Sequence, residues 1–94
     1  MIKAQVRLIG DLREAMGKEK LEIELSSNLS LKELIEDKLL RYEELKDHLI
    51  DPTTKKIRTD IIILINERSV EGSIESEIVK DGDIITLAPV VAGG

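Results

Sequence analysis

Apolar and polar residues alternate from the first positions of the chain: Ile2, Ala4, Val6 and Leu8 are interleaved with Lys3, Gln5 and Arg7. A period of two predicts a strand with one buried and one wet face. Gly10-Asp11 interrupts it, residues 12–16 are long enough for about one helical turn, and Gly17 closes that turn. Leu21, Ile23 and Leu25 then alternate with Glu22 and Glu24, a second strand, so the opening reads as a hairpin with a helical turn in its loop.

At Ser30 the period changes. Ser30 and Glu33 form the S-x-x-E pattern of a capping box, in which the hydroxyl and the carboxylate each take a backbone N–H. Leu31, Leu34, Ile35 and Leu39 fall on one side of a helical wheel, Tyr42, Leu45 and Leu49 continue that side, and Leu40 lies almost opposite. One straight helix over 31–49 would run roughly 28 Å at ~1.5 Å per residue, longer than a typical strand of ~17–20 Å. The pattern therefore predicts a break near Leu40 or Arg41 and a second helical piece over 43–47.

Pro52 ends the helical region, and residues 51–60 read as a polar connection. Five aliphatic residues follow, Ile61 to Ile65, with the β-preference of an interior strand. Residues 66–69 read as a turn, Val70-Glu71 as a very short strand, Asp81-Gly82-Asp83 as a turn with Gly82 at positive φ, and residues 84–88 as a last strand that Pro89 ends unless it lies at an edge. The order is β-β-α-β-β-β: one α+β domain over residues 1–94, a mixed sheet with the helix as a crossover covering one face. The other face stays open. Either Ile62 and Leu64, or Ile61, Ile63 and Ile65, must point there; the result is a protein-docking patch or ordinary scattered surface hydrophobicity.

Composition narrows the chemistry. The 94 residues, 41% hydrophobic and 35% charged, suit one soluble domain. Cysteine is absent, which removes disulfides, thiolate nucleophiles and thiolate metal sites. No stretch approaches a membrane span and Met1-Ile2-Lys3-Ala4 lacks a signal-peptide layout, so the expected compartment is the cytoplasm. The net charge of -5 is spread along the chain, and Tyr42 is the only aromatic residue, which argues against nucleic acid as a direct ligand and mildly for a basic protein partner. His48 is the only histidine and reads as a residue near a helix end; Asp81 and Asp83 offer at most a weak carboxylate-only magnesium site. No glycine-rich loop opens a helix, so the chain reads as a substrate or carrier with no bound cofactor.

What remains is the end of the chain, Pro89-Val90-Val91-Ala92-Gly93-Gly94. Two terminal glycines add nothing to a core, yet they make a slim strand with a carboxylate at its tip. The plain alternative is a frayed terminus that happens to be glycine.

The ending from Leu87 to Gly94, preceded by Asp81-Gly82-Asp83-Ile84, resembles that of the ubiquitin-like sulfur carriers, which include the small subunit of molybdopterin synthase and the thiamine-pathway carrier. The stretch from Leu8 to Gly17 is similar to the molybdopterin subunit's first strand and helical turn. Ser30-Leu31-Lys32-Glu33-Leu34 resembles the start of its main helix, and Tyr42-Glu43-Glu44-Leu45 the segment after it. Three positions depart: Glu67 replaces a turn glycine, Glu43 a frequent proline, and Val90 a second tail proline.

The resemblance implies a β-grasp fold with residues 89–94 as a protruding tail. It implies that an ATP-dependent activating enzyme of the E1 type adenylates the Gly94 carboxylate, that a sulfur donor converts it to a thiocarboxylate, and that Gly93 gives clearance in a narrow channel. In the molybdopterin branch the partner is the large synthase subunit. Ile62, Leu64, Ala88, Pro89, Val90, Val91 and Ala92 are then the expected partner contacts, with Arg13 and Glu67 at the rim. Thiamine synthesis and tRNA thiolation are other destinations for the sulfur. Conjugation through Gly94 to lysines, as a protein modifier, is the second reading, and a plain interaction module with an incidental tail is the third.

Overall fold

The computed structural model describes residues 2–70 and 74–90. Strand β1 (Ile2–Leu8) leads through helix α1 (Asp11–Met16) to β2 (Lys20–Leu25), and β3 (Leu29–Ser30) leads directly into α2 (Leu31–Asp37). A 3-10 turn at Leu39–Arg41 separates α2 from α3 (Glu43–Leu49). After a long connection come β4 (Ile61–Ile65), β5 (Arg68–Ser69), β6 (Ile78–Val79) and β7 (Ile84–Pro89). The main sheet has the order β2-β1-β7-β4-β5, with β1 and β7 parallel and the other neighbours antiparallel. This is the β-grasp: an α+β fold in which helices cover one face of a mixed sheet.

Alternation in the sequence becomes sidedness in the sheet. Ala4, Val6 and Leu8 of β1, Leu21, Ile23 and Leu25 of β2, and Ile85 and Leu87 of β7 are buried against Leu31, Leu34, Ile35, Leu39, Leu45 and Leu49 from the helical layer. A seven-residue helix such as α2 does not persist alone in water. Burial of ~1.5–3 kcal/mol per large aliphatic side chain holds it in place. The capping box forms as the sequence predicts: Ser30 Oγ accepts the Glu33 N–H at 3.1 Å and Glu33 Oε1 accepts the Ser30 N–H at 3.2 Å. Gly17 closes α1 in the left-handed region at φ 69, its N–H donating to the Arg13 carbonyl at 2.9 Å.

The predicted helix break falls where expected, at the 3-10 turn. Tyr42 does not continue the buried side, however; it is 37% exposed. Its backbone is extended (φ -85, ψ 110), so the wheel phase of α2 is not carried into α3. The predicted strand at Val70-Glu71 lies two residues earlier, at Arg68–Ser69, because the turn is the two-residue pair Asn66-Glu67, both at positive φ (51 and 70). Strands β3 and β6 pair with each other in a separate small sheet and escape a sequence reading because two residues cannot show a period. No helix among the described residues is long and apolar enough to cross a membrane.

Candidate functional site

Register places the open face. Ile62 is opposite Ala88 and Leu64 opposite Thr86, so these side chains share the side of the sheet away from the helices, with Ile84 and Val90 on the same side of β7. Of the two sets the apolar run allowed, Ile62 and Leu64 are therefore the pair on the open face, while Ile61, Ile63 and Ile65 pack toward the core. Ile62 is 45% exposed, Ile84 37% and Val90 47%; Leu64 and Ala88 are half-buried. Across β1 and β2 the same face is polar, carrying Lys3, Gln5 and Arg7 beside Lys20, Glu22 and Glu24. The apolar part is thus a stripe along β7 and β4 that runs to Val90.

The end of β7 is held from two sides. Pro89 faces Ile61 across the sheet, and the Val90 N–H donates to the Asp60 carbonyl at 2.7 Å. Pro89 remains in the strand because its missing N–H lies on the side where β1 has already ended. There Gly10 takes φ +67 and passes so close that a Cβ would lie 3.5 Å from the Pro89 ring. Pro89 and Val90, expected as the first tail residues, are therefore still engaged with β4 and its approach. Val91, Ala92, Gly93 and Gly94 lie outside the described residues.

Asp60 is itself gripped. Arg58 donates from Nε to Asp60 Oδ1 at 2.8 Å and from Nη2 to Asp60 Oδ2 at 2.6 Å. These bonds hold the Asp60 carboxyl below the ordinary carboxylate range and raise the Arg58 guanidinium further above its own. Arg58 Nη1 donates to the His48 carbonyl at 2.8 Å and lies 3.4 Å from Asp11 Oδ2. Asp11 Oδ1 is buried with no hydrogen-bond partner among the described residues, a cost that the adjacent guanidinium offsets.

Other candidates resolve into structural roles. Asp81 Oδ1 accepts the Lys3 N–H at 2.8 Å and Asp83 Oδ2 the Lys80 N–H at 2.8 Å, while Asn66 bridges Asp83 Oδ1 and the Ile84 N–H. His48 Nδ1 meets the Glu44 carbonyl at 2.9 Å within α3. Arg13, on α1, is 3.9 Å from Glu19 at the tail end of the sheet, whereas Glu67 occupies the hairpin turn beside Ile84 at the other end. The two expected rim residues thus bracket the stripe and do not meet. Ile84 joins the stripe although its position beside a turn hides it in the sequence; continuing the alternation 84-86-88-90 would have found it. Nothing in the sequence signals Arg58 or Asp60.

The sequence matches the model of the ThiS family over residues 6–94. The chain belongs to the ThiS family. Solved relatives of this ThiS-family chain agree in shape. It is 33% identical to a chain of the BexX/CysO complex of Amycolatopsis orientalis, covering 97% of this chain and 99% of that one at a TM-score of 0.67. It is 26% identical to small archaeal modifier protein 1 of Methanosarcina acetivorans, over 100% and 98% of the two chains, with a TM-score of 0.77. With the complex of subunits 1 and 2 of molybdopterin-converting factor from Helicobacter pylori the identity is 28%, over 99% and 100%, and the TM-score 0.66. No curated protein matches by sequence. These likenesses span the sulfur-carrier superfamily and do not single out the molybdopterin subunit. ThiS-family proteins are carriers or modifiers without catalytic machinery of their own, and they act with an E1-like adenylating enzyme and a partner subunit.

Proposed function

We propose that Gly94 supplies the reacting carboxylate of a sulfur carrier that also serves as a protein modifier. The carboxylate attacks the α-phosphorus of ATP on an E1-type enzyme, releasing pyrophosphate and leaving an acyl adenylate. A sulfur donor then displaces AMP to give the thiocarboxylate, or a lysine amine takes the activated acyl group and forms an isopeptide bond. The observation that carries this reading is the set of apolar side chains on the open face, Ile62, Leu64, Ile84, Ala88 and Val90, on the strand pair from which the sequence runs on to Gly93-Gly94. A docking face that leads into a slim strand delivers a carboxylate to an enclosed site while the globular surface supplies the affinity.

Two observations favour this broader role over a dedicated molybdopterin synthase subunit. Likeness in shape is greater to the archaeal modifier protein, at a TM-score of 0.77, than to the molybdopterin-converting factor chains of Pyrococcus furiosus and Helicobacter pylori, at 0.72 and 0.66. Val90 also replaces the second tail proline of the molybdopterin subunits.

Intact-mass analysis of the protein from its native cell tests the reading. It should show the mass gain of one oxygen-to-sulfur exchange at the C-terminus, together with Gly-Gly remnants on lysines of other proteins. Gly94→Ala should fold normally and lose both products. Detection of the thiocarboxylate without conjugates returns the assignment to a pure carrier. Detection of neither, or full function after deletion of Gly93 and Gly94, leaves an interaction module and sinks the proposal.

A further inference from the structure

The grip on Asp60 reaches the tail through one backbone bond. Val90 is held by the Asp60 carbonyl, and Asp60 sits at the end of a connection that folds largely on itself, with Asp51 Oδ1 accepting the Thr53 N–H and Lys55 at φ 63. Arg58 adds a side-chain tie at residue 60 to those the backbone already makes, the Ile50–Ile57 bridge and the start of β4 at Ile61. Its backbone N–H donates to the Leu49 carbonyl at 2.8 Å, its Nη1 donates to the His48 carbonyl, and its Nε and Nη2 each donate to one oxygen of Asp60. One side chain, 25% exposed, thereby joins the C-terminal end of α3, the start of α1 through Asp11, and the residue that anchors Val90.

We propose that Arg58 is a positioning residue for the C-terminal tail: by fixing Asp60 it fixes the carbonyl that holds Val90, and so sets where the chain leaves the sheet. The inference rests on the reading of Gly94 as the reacting terminus, and it adds a residue far from that carboxylate in sequence to the parts that determine its delivery. Among the described residues Arg58 makes no hydrogen bond or ion pair to the side chains of the proposed docking stripe. Its loss should therefore alter presentation of the tail and leave docking intact. Charge alone is not sufficient, because the planar guanidinium spans two carboxylate oxygens and a carbonyl in a fixed fork that an ammonium cannot reproduce.

The test compares the full chain with Arg58→Lys, Arg58→Leu and, as a control for loss of an exposed ion pair elsewhere, Lys32→Gln, which removes the contacts to Glu36 and Glu75. Amide hydrogen exchange reads the clamp directly. Exchange at Val90 should accelerate by about tenfold or more in both Arg58 variants while Ile85 and Leu87 keep their protection, and the control should match the parent. In adenylation by the activating enzyme, kcat should fall about 10- to 100-fold, as for a small misplacement of a reacting group, with KM for the carrier unchanged. Arg58→Lys keeps the charge and serves where Arg58→Leu fails to fold. Unaltered Val90 exchange in a folded variant overturns the proposal, and so does a freed Val90 with kcat intact or a loss confined to KM. Failure of the parent chain to be adenylated would instead defeat the reading of Gly94; the clamp would then stand or fall on Val90 exchange alone.

Discussion

Gly10 shows how one residue serves both the fold and the site. It turns the chain from β1 into α1 with φ 67 and ψ -134, a region of backbone space that side chains disfavour, and it lies under the Pro89 ring. A methyl group there would meet that ring at 3.5 Å, an ordinary van der Waals distance. The penalty for Gly10→Ala is therefore backbone strain, about 1–3 kcal/mol. A urea titration should show the midpoint lowered with the slope unchanged; an unmoved midpoint would mean that the turn adapts and that glycine is not required. Glu67 is the opposite case. It holds φ 70 without being glycine, which is why the sequence, lacking Asn-Gly, hides the tight hairpin and displaces β5 by two residues. Asn66 compensates, its side chain tying the turn to Asp83 and to the Ile84 N–H.

Among the elements, those with a sustained period were legible and those without were not. Seven residues of β1 and the capping box of α2 announce themselves, and the run from Ile61 to Ile65 is plainly a strand. Which of its faces stays open required the register against β7, because five aliphatic residues in a row carry no alternation. The clamp around Asp60 was not legible, since Arg58, Asp60, Asp11 and His48 meet only through tertiary folding. The stripe itself predicts a binding energy. Ile62 is half-exposed and Leu64 half-buried, so truncating both to alanine costs the fold modestly, whereas the minority of residues that anchor the centre of an interface cost more than about 1 kcal/mol each when truncated. The double variant Ile62→Ala/Leu64→Ala should raise the Kd for the activating enzyme at least about tenfold by titration calorimetry. An unchanged Kd in a folded double variant would move docking away from this face.

At the scale of the molecule, β7 lies between β1 and β4, so the tail begins from an interior strand of the main sheet. Its last rung, Val90 on Asp60, lies beside the surface ion pair of Arg58 with Asp60. The groups facing Asp60 in that clamp are Arg58 and, through it, Asp11; the His48 ring is engaged with Glu44 and contributes only its carbonyl. Hydrogen bonds from Arg58 depress the Asp60 pKa, so the folded state binds that proton less readily than the unfolded chain does. Stabilisation from this pair is accordingly complete above the ordinary carboxylate range and disappears as pH falls through the depressed value. Once corrected for intrinsic chemistry, Val90 exchange should be flat from neutrality to about pH 5 and should accelerate only below about pH 4. That acid step should be missing in Arg58→Leu, where the rung is already loose at neutral pH. A parent profile that stays flat below about pH 4 would mean that the Arg58–Asp60 pair does not hold the rung. A flat profile near neutrality means that the Val90 rung is held alike across the physiological range, so that any pH control of the proposed transfer would have to lie outside this clamp.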